Sequence, residues 1–190
     1  MNNFTIKSQE AIQEAQQLTV QNGQQQIEIS HISKAILKVD ENVSPYILKK
    51  SGINLENLSR FLDQKIESFS KVSGGNISLS QEANTVISNA VAIANKMKDE
   101  FVAIEHLWLA IFENKNAVSQ YLKEQGLKQN QIQAAIEEIR QGDNVKSQSA
   151  EDTYNSLSKY AKNLKKLALD GKLDPEIGRD EEIRRILQIL

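Results

Sequence analysis

Residues 4–18 read FTIKSQEAIQEAQQL and residues 79–93 read LSQEANTVISNAVAI. Aligned at an offset of 75, they pair Phe4 with Leu79, Thr5 with Ser80, Ile12 with Ile87, Ala15 with Ala90 and Leu18 with Ile93. The tetrapeptide SQEA, at Ser8–Ala11 and again at Ser80–Ala83, suggests an offset of 72 instead. The apolar register outranks it, because positions destined for the core specify the fold more tightly than exposed polar ones. The register runs on without a gap through Ile27/Val102, Ile29/Ile104, His31/His106, Ile32/Leu107, Ala35/Ala110, Ile36/Ile111 and Leu37/Phe112. After a one-residue loop difference it continues at an offset of 74 through Leu48/Leu122, Lys49/Lys123, Gly52/Gly126, Ile53/Leu127, Leu58/Ile132 and Leu62/Ile136.

Each repeat reads as four helices. The first follows an apolar residue and a hydroxyl, Phe4-Thr5 or Leu79-Ser80, and the hydroxyl can accept a bond from a free N–H of the first turn. The second, near Ser30–Val39 and Ile104–Glu113, is the most apolar and should be central. A short third helix stops at Gly52 or Gly126, where a left-handed residue is needed. The fourth covers about Leu55–Ser70 and Lys128–Gln141. The fold class predicted is all-α: one eight-helix domain over residues 1–141, built from repeats at about 4–70 and 79–141 and related by a pseudo-two-fold axis. VSGGNIS (Val72–Ser78) is a Gly/Ser hinge between them.

Beyond Gln141 the texture changes. Residues 142–153 hold almost no apolar side chain and read as a flexible linker. Tyr154, Leu157, Ala161, Leu164 and Ala168 then form a helical stripe ended by Asp170-Gly171. In KLDPEIGRDEEIRRILQIL, Asp174 is disfavoured from helix by Pro175, and Asp180 can cap a last helix with Glu181 and Glu182 in its first turn. Ile183, Ile186, Leu187 and Leu190 share one face of that helix, so their partner is expected outside this sequence.

The 190 residues allow one or two domains with a real core. Aromatics are 5%, with 2 Pro and 8 Gly, against plentiful Ala, Gln, Lys, Glu, Ile and Leu, a helical balance. There is no cysteine, which excludes disulfides, thiol catalysis and thiolate-bound zinc and fits a reducing compartment. No apolar run reaches a membrane span and the first residues show no signal-peptide core. A net charge of −2 gives no reason to expect nucleic acid.

His31 and His106 occupy equivalent positions. A metal pair needs further ligands, and no other His or Cys exists to supply them, so partly buried structural histidines are expected. No sequence signature supports a Ser–His–Asp triad. A groove is expected at the seam between the two repeats. Ile93, Met97, Phe101 and Leu107 are candidate apolar lips, with Phe101 and Leu107 better read as core and Met97 best suited to an adaptable surface.

The doubled four-helix unit resembles the Clp N-terminal domain. GKLDPEIGRDEEIRRILQIL, with the preceding YxxLxKYxxxLxxLAxxGKLDP pattern from Tyr154, resembles the opening of the first AAA+ module of ClpB-type disaggregases. The resemblance covers the whole chain and implies a substrate-binding N-terminal domain on residues 1–141, a linker over 142–153, and the start of an AAA+ module over 154–190. It implies capture of unfolded or aggregated polypeptide for threading through a cytoplasmic homohexameric ring, in partnership with a DnaK-type chaperone. The repeats alone would equally suit a ClpA- or ClpC-type unfoldase feeding a protease. Thr5, Asp99 and Glu105 resemble positions of the family's proposed substrate-contact surface. Thr5 is also explained as a helix cap, and Glu105 as an acid in a first helical turn. Ile177, Gly178 and Arg179 would border the adenine of ATP. The phosphate loop G-x-x-x-x-G-K-[ST] does not occur in these residues, so they should not hydrolyse ATP by themselves, whereas the whole protein should use ATP and magnesium.

Overall fold

A computed structural model describes residues 3–72, 76–154 and 185. The chain divides into a unit of residues 1–155 and a unit of residues 156–190. Only Arg185 of the second unit falls among the described residues, so the expectations for the capped last helix, its apolar face and Ile177-Gly178-Arg179 lie outside them. Most of the Gly/Ser hinge, residues 73–75, does too.

The first repeat comprises α1 (Ile6–Gln21), α2 (Ile29–Val39), α3 (Val43–Lys50) and α4 (Leu55–Glu67). The second comprises α5 (Gln81–Lys96), α6 (Ile104–Glu113), α7 (Ala117–Glu124) and α8 (Gln129–Arg140). The start signals act as the sequence implies. Thr5 Oγ1 accepts from the Ser8 N–H at 3.3 Å, and Ser80 Oγ accepts from the Ala83 N–H at 3.1 Å. The buried positions of α1 include Ser8, Ala11, Ala15 and Thr19, and those of α5 are Ala83, Val86, Ala90 and Ala94. They superpose at the offset of 75, not 72. Gly52 and Gly126 close α3 and α7 at φ of 81° and 87°, a conformation costly to any residue with a Cβ.

Two short parallel pairings tie the repeats together. β1 (Gln26–Ile27) lies beside β2 (Ser78–Leu79), with Ile27 opposite Leu79. A single bridge joins Phe4 to Val102. The offset of 75 maps one pair onto the other. Each repeat's leading segment therefore sits against the loop between the first two helices of its partner repeat, which is how the pseudo-two-fold relation is built.

The central helices are α2 and α6. Ile32, Ile36, Ile104, Leu107, Trp108 and Ile111 are fully enclosed, and each such side chain contributes about 1.5–3 kcal/mol through burial. Trp108 also carries a polar handle that needs a partner when buried. Its Nε1 donates to Ser44 Oγ at 2.8 Å, linking α6 to α3. Ser44 Oγ in turn donates to Asp40 Oδ2 at 2.7 Å.

The structure departs from the expected linker. Residues 142–154 fold back over the second repeat and the start of α1 as a strap that ends in α9 (Ala150–Thr153). Gln141 and Gly142, at φ of 52° and 90°, reverse the chain. Then the Glu100 N–H donates to the Val145 carbonyl at 2.9 Å and the Ile6 N–H to the Gln148 carbonyl at 2.8 Å. Val145 and Ala150 are buried with Ala103, against Phe101 and Tyr154. A polar stretch needs only a few apolar anchors to dock when its backbone groups find partners.

Candidate functional site: a groove on the second repeat

Along α5, side chains at i, i+3 and i+4 share a face, and α6 and α8 present matching faces beside it. Between these helices lies a groove of about 590 Å³. Ala92, Ile93, Met97, Leu109 and Ile136 form its apolar surface. Lys96, Glu113 and Glu137 stand among its polar groups, so charge at the rim is predominantly acidic. Glu113 Oε1 accepts from Gln129 Nε2 at 2.6 Å, which fixes part of that rim.

The first repeat shows why the groove exists where it does. Lys34 is the register equivalent of Leu109, and its Nζ donates to Ser59 Oγ at 2.7 Å and to Asp63 Oδ2 at 2.8 Å, bridging α2 to α4. Lys38, equivalent to Glu113, pairs with Glu14, equivalent to Asn89, at 2.6 Å, bridging α2 to α1. These two polar links span the helices that correspond to the groove. In the second repeat the same positions hold Leu109, Gln133, Glu137, Glu113 and Asn89, which cannot form them. The groove thus lies within one repeat. The seam between the repeats holds a different cavity of about 400 Å³, lined by Glu28, Ser30, Lys65, Ser80 and Glu82 among others, and it is more polar.

The expected site residues separate into two groups. Ile93 and Met97 are half-buried groove residues. Leu107 is core, and Phe101 packs beneath the strap. Thr5, Asp99 and Glu105 come together, but as a buried cluster beside the strap and not at an open surface. Leu109, Ile136, Glu113 and Glu137 were not among the candidates. The divergence of Leu109 from Lys34 in the repeat alignment was the signal that could have found them.

In the buried cluster Thr5 Oγ1 donates to Glu151 Oε1 at 2.6 Å, and the Ile104 N–H donates to the same oxygen at 3.1 Å. Asp99 Oδ2 accepts from His106 Nε2 at 2.9 Å and from Arg140 Nη1 at 2.8 Å, while its Oδ1 accepts from the Val145 N–H at 2.7 Å. Arg140 Nε donates to Glu105 Oε1 at 2.9 Å. Burial works to raise the Asp99 carboxyl, but the bonds from His106, Val145 and Arg140 outweigh it and hold it below the usual carboxylate range. Burial, reinforced by the Glu105 charge, pushes Glu151 up to about 7 against the bonds from Thr5 and Ile104.

Both histidines are structural. His31 Nδ1 accepts from the Glu28 N–H at 3.0 Å, and its Nε2–H donates to Gln24 Oε1 at 2.7 Å. His106 Nδ1 accepts from the Ala103 N–H at 2.8 Å, leaving Nε2–H for Asp99. Every ring nitrogen is thus engaged. No cluster of three or more potential metal ligands occurs among the described residues, and no helix among them is long and apolar enough to cross a membrane.

A doubled four-helix repeat with crossed leading segments and a groove on one repeat defines an all-helical double-repeat domain. The family model for the Clp repeat (R) N-terminal domain matches residues 3–125, and the chain belongs to that family. Over its whole length the chain is 52% identical to the chaperone protein ClpB of Bacteroides thetaiotaomicron and 49% identical to that of Porphyromonas gingivalis. It spans 22% of the length of each. The fold is that of the Hsp104 N-terminal domain from Candida albicans, at a TM-score of 0.68 and 22% identity over 78% of this chain and 99% of the other. The N-terminal domain of ClpD from Arabidopsis thaliana matches at a TM-score of 0.57 and 19% identity, covering 74% of this chain and 96% of the other.

Proposed function

We propose that this domain captures unfolded or aggregated polypeptide for an ATP-dependent ClpB-type chaperone, and that the groove of α5, α6 and α8 is where apolar segments bind. The observation that carries this reading is the divergence of the repeats. Polar bridges span the helices of the first repeat, and an apolar floor with an open rim replaces them in the second. A shallow groove with Met97 at its edge suits many sequences, because thioether side chains adapt to irregular partners. Weak capture fits a module that must pass its client onward. In the whole protein we assign the threading to a cytoplasmic homohexameric AAA+ ring using ATP and magnesium, assisted by a DnaK-type chaperone. Ile177, Gly178 and Arg179 would stand at the adenine side of the first nucleotide site, and residues 1–190 alone would not hydrolyse ATP.

The test uses fluorescently labelled, reduced and carboxymethylated α-lactalbumin, with binding to the chain followed by anisotropy. Ile93→Glu and Met97→Glu put a buried charge against the apolar floor and should each weaken binding at least about tenfold, with helical content unchanged by circular dichroism. Binding unchanged in both folded variants would remove the groove from the function.

A further inference from the structure

The strap is held by an unusual set of groups. Glu151 is enclosed, yet only Oε1 is used, by Thr5 Oγ1 and the Ile104 N–H. Its Oε2 has no partner. Two carboxyls, from Asp99 and Glu105, meet the Arg140 guanidinium, and Glu151 faces Glu105 without reaching it. Arg140 is committed to Asp99 and Glu105. His106 Nδ1 accepts from the Ala103 N–H and its Nε2 bonds Asp99, while the buried Tyr154 hydroxyl lies against Glu105. Lys7 on α1 reaches Asp152 at 3.6 Å at the edge of the strap and leaves Glu151 uncompensated. An ionised Glu151 would thus be a buried charge, bonded at one oxygen only and facing a second carboxylate, an arrangement that is strongly unfavourable.

We propose that residues 142–154 are a releasable latch, docked with Glu151 as a neutral carboxylic acid and freed when that acid ionises. Docked, the strap is part of the domain. Freed, it becomes about a dozen residues of polar tether, with a reach on the order of 20 Å. The latch therefore sets how much free chain follows the domain, and hence the volume its groove can search. It acts through the tether and not through the groove, so it stands whether or not the groove binds polypeptide.

The direction of the pH effect follows from linkage. Docking raises the Glu151 carboxyl from 4.5 to about 7, so the docked state holds the extra proton between those values. Docking is strongest below 4.5 and weakens as pH rises through about 7. Amide hydrogen exchange on the whole chain reads this directly. The amides of Ile6, Glu100 and Val145 are protected by the strap, while that of Leu127, bonded to the Leu122 carbonyl, belongs to the core and serves as the internal standard. After correction for intrinsic exchange, protection of the strap amides relative to Leu127 should fall about tenfold from pH 6 to pH 8. In Glu151→Gln, which keeps a neutral side chain able to accept from Thr5 and Ile104, the ratio should stay flat. A flat ratio in the wild type overturns the latch without any variant. A fall that persists in a folded Glu151→Gln chain overturns it too, by assigning the proton to another group.

Discussion

At the scale of single residues, the two repeats solve one problem with different chemistry. His31 bonds Gln24, whose Nε2 donates to the Ile66 carbonyl at the end of α4. Its equivalent His106 bonds Asp99, which takes Arg140 at the end of α8. The first arrangement is neutral and the second is charged. Burial pushes His31 down to about 4 from 6.5, and a proton on Nδ1 would also face the Glu28 N–H, donor against donor. The unfolded chain consequently binds a proton on this ring between those values that the folded chain refuses. Stability must fall as pH drops through 6.5 and level off below about 4, by at most about 3 kcal/mol. Because the carboxyl of Glu151 shifts stability the opposite way in the same range, the clean measurement is a difference. In urea unfolding, the stability gap between wild type and His31→Gln should narrow from pH 7 to pH 4.5. A gap that is constant over that range would show that His31 does not refuse the proton.

At the scale of elements, the register of 75 also exposes strain. α1 is followed by Gly23 at φ 68°, and α5 by its equivalent Lys98 at φ 61°. A left-handed lysine is uphill by about 1 kcal/mol or more relative to glycine in that conformation, partly offset by glycine's greater freedom when unfolded. Lys98→Gly should stabilise the chain by about 0.5–1 kcal/mol, seen as a higher urea midpoint with an unchanged slope. A lower midpoint would mean that the lysine side chain contributes more than its backbone costs. The helices themselves were legible because hydroxyl caps, terminal glycines and the 3.6-residue stripe all agree at each end, and the spans in the structure sit within a few residues of those read from the pattern. The groove was only half legible. Ile93 and Met97 stand out as apolar residues near a helix end, but the lining from α6 and α8 depends on which faces the helices turn to one another. The cluster of Thr5, Asp99, Glu105 and Glu151 was not legible, since Thr5 and Glu151 lie far apart in sequence and nothing local marks Glu151 as buried.

At the scale of the molecule, the strap redraws the domain. The boundary read from composition falls at Gln141, where polar residues begin. The packing boundary falls after Tyr154, because Val145 is fully enclosed and the strap satisfies the N–H groups of Ile6, Glu100 and Ile104. Burying a valine side chain contributes about 2 kcal/mol, from which the ordering of a short polar segment subtracts and to which its new hydrogen bonds add. A chain ending at residue 141 should accordingly be less stable than one ending at residue 155 by about 2 kcal/mol at pH 6, measured by urea unfolding of the two side by side. The difference should shrink at pH 8, because an ionised Glu151 favours the undocked strap and leaves less to lose by removing it. Equal stabilities at pH 6 would mean that the strap lies on the domain without supporting it. A difference that grows at pH 8 would reverse the sign required of a carboxyl raised by burial, and would overturn the docking of the strap through a neutral Glu151.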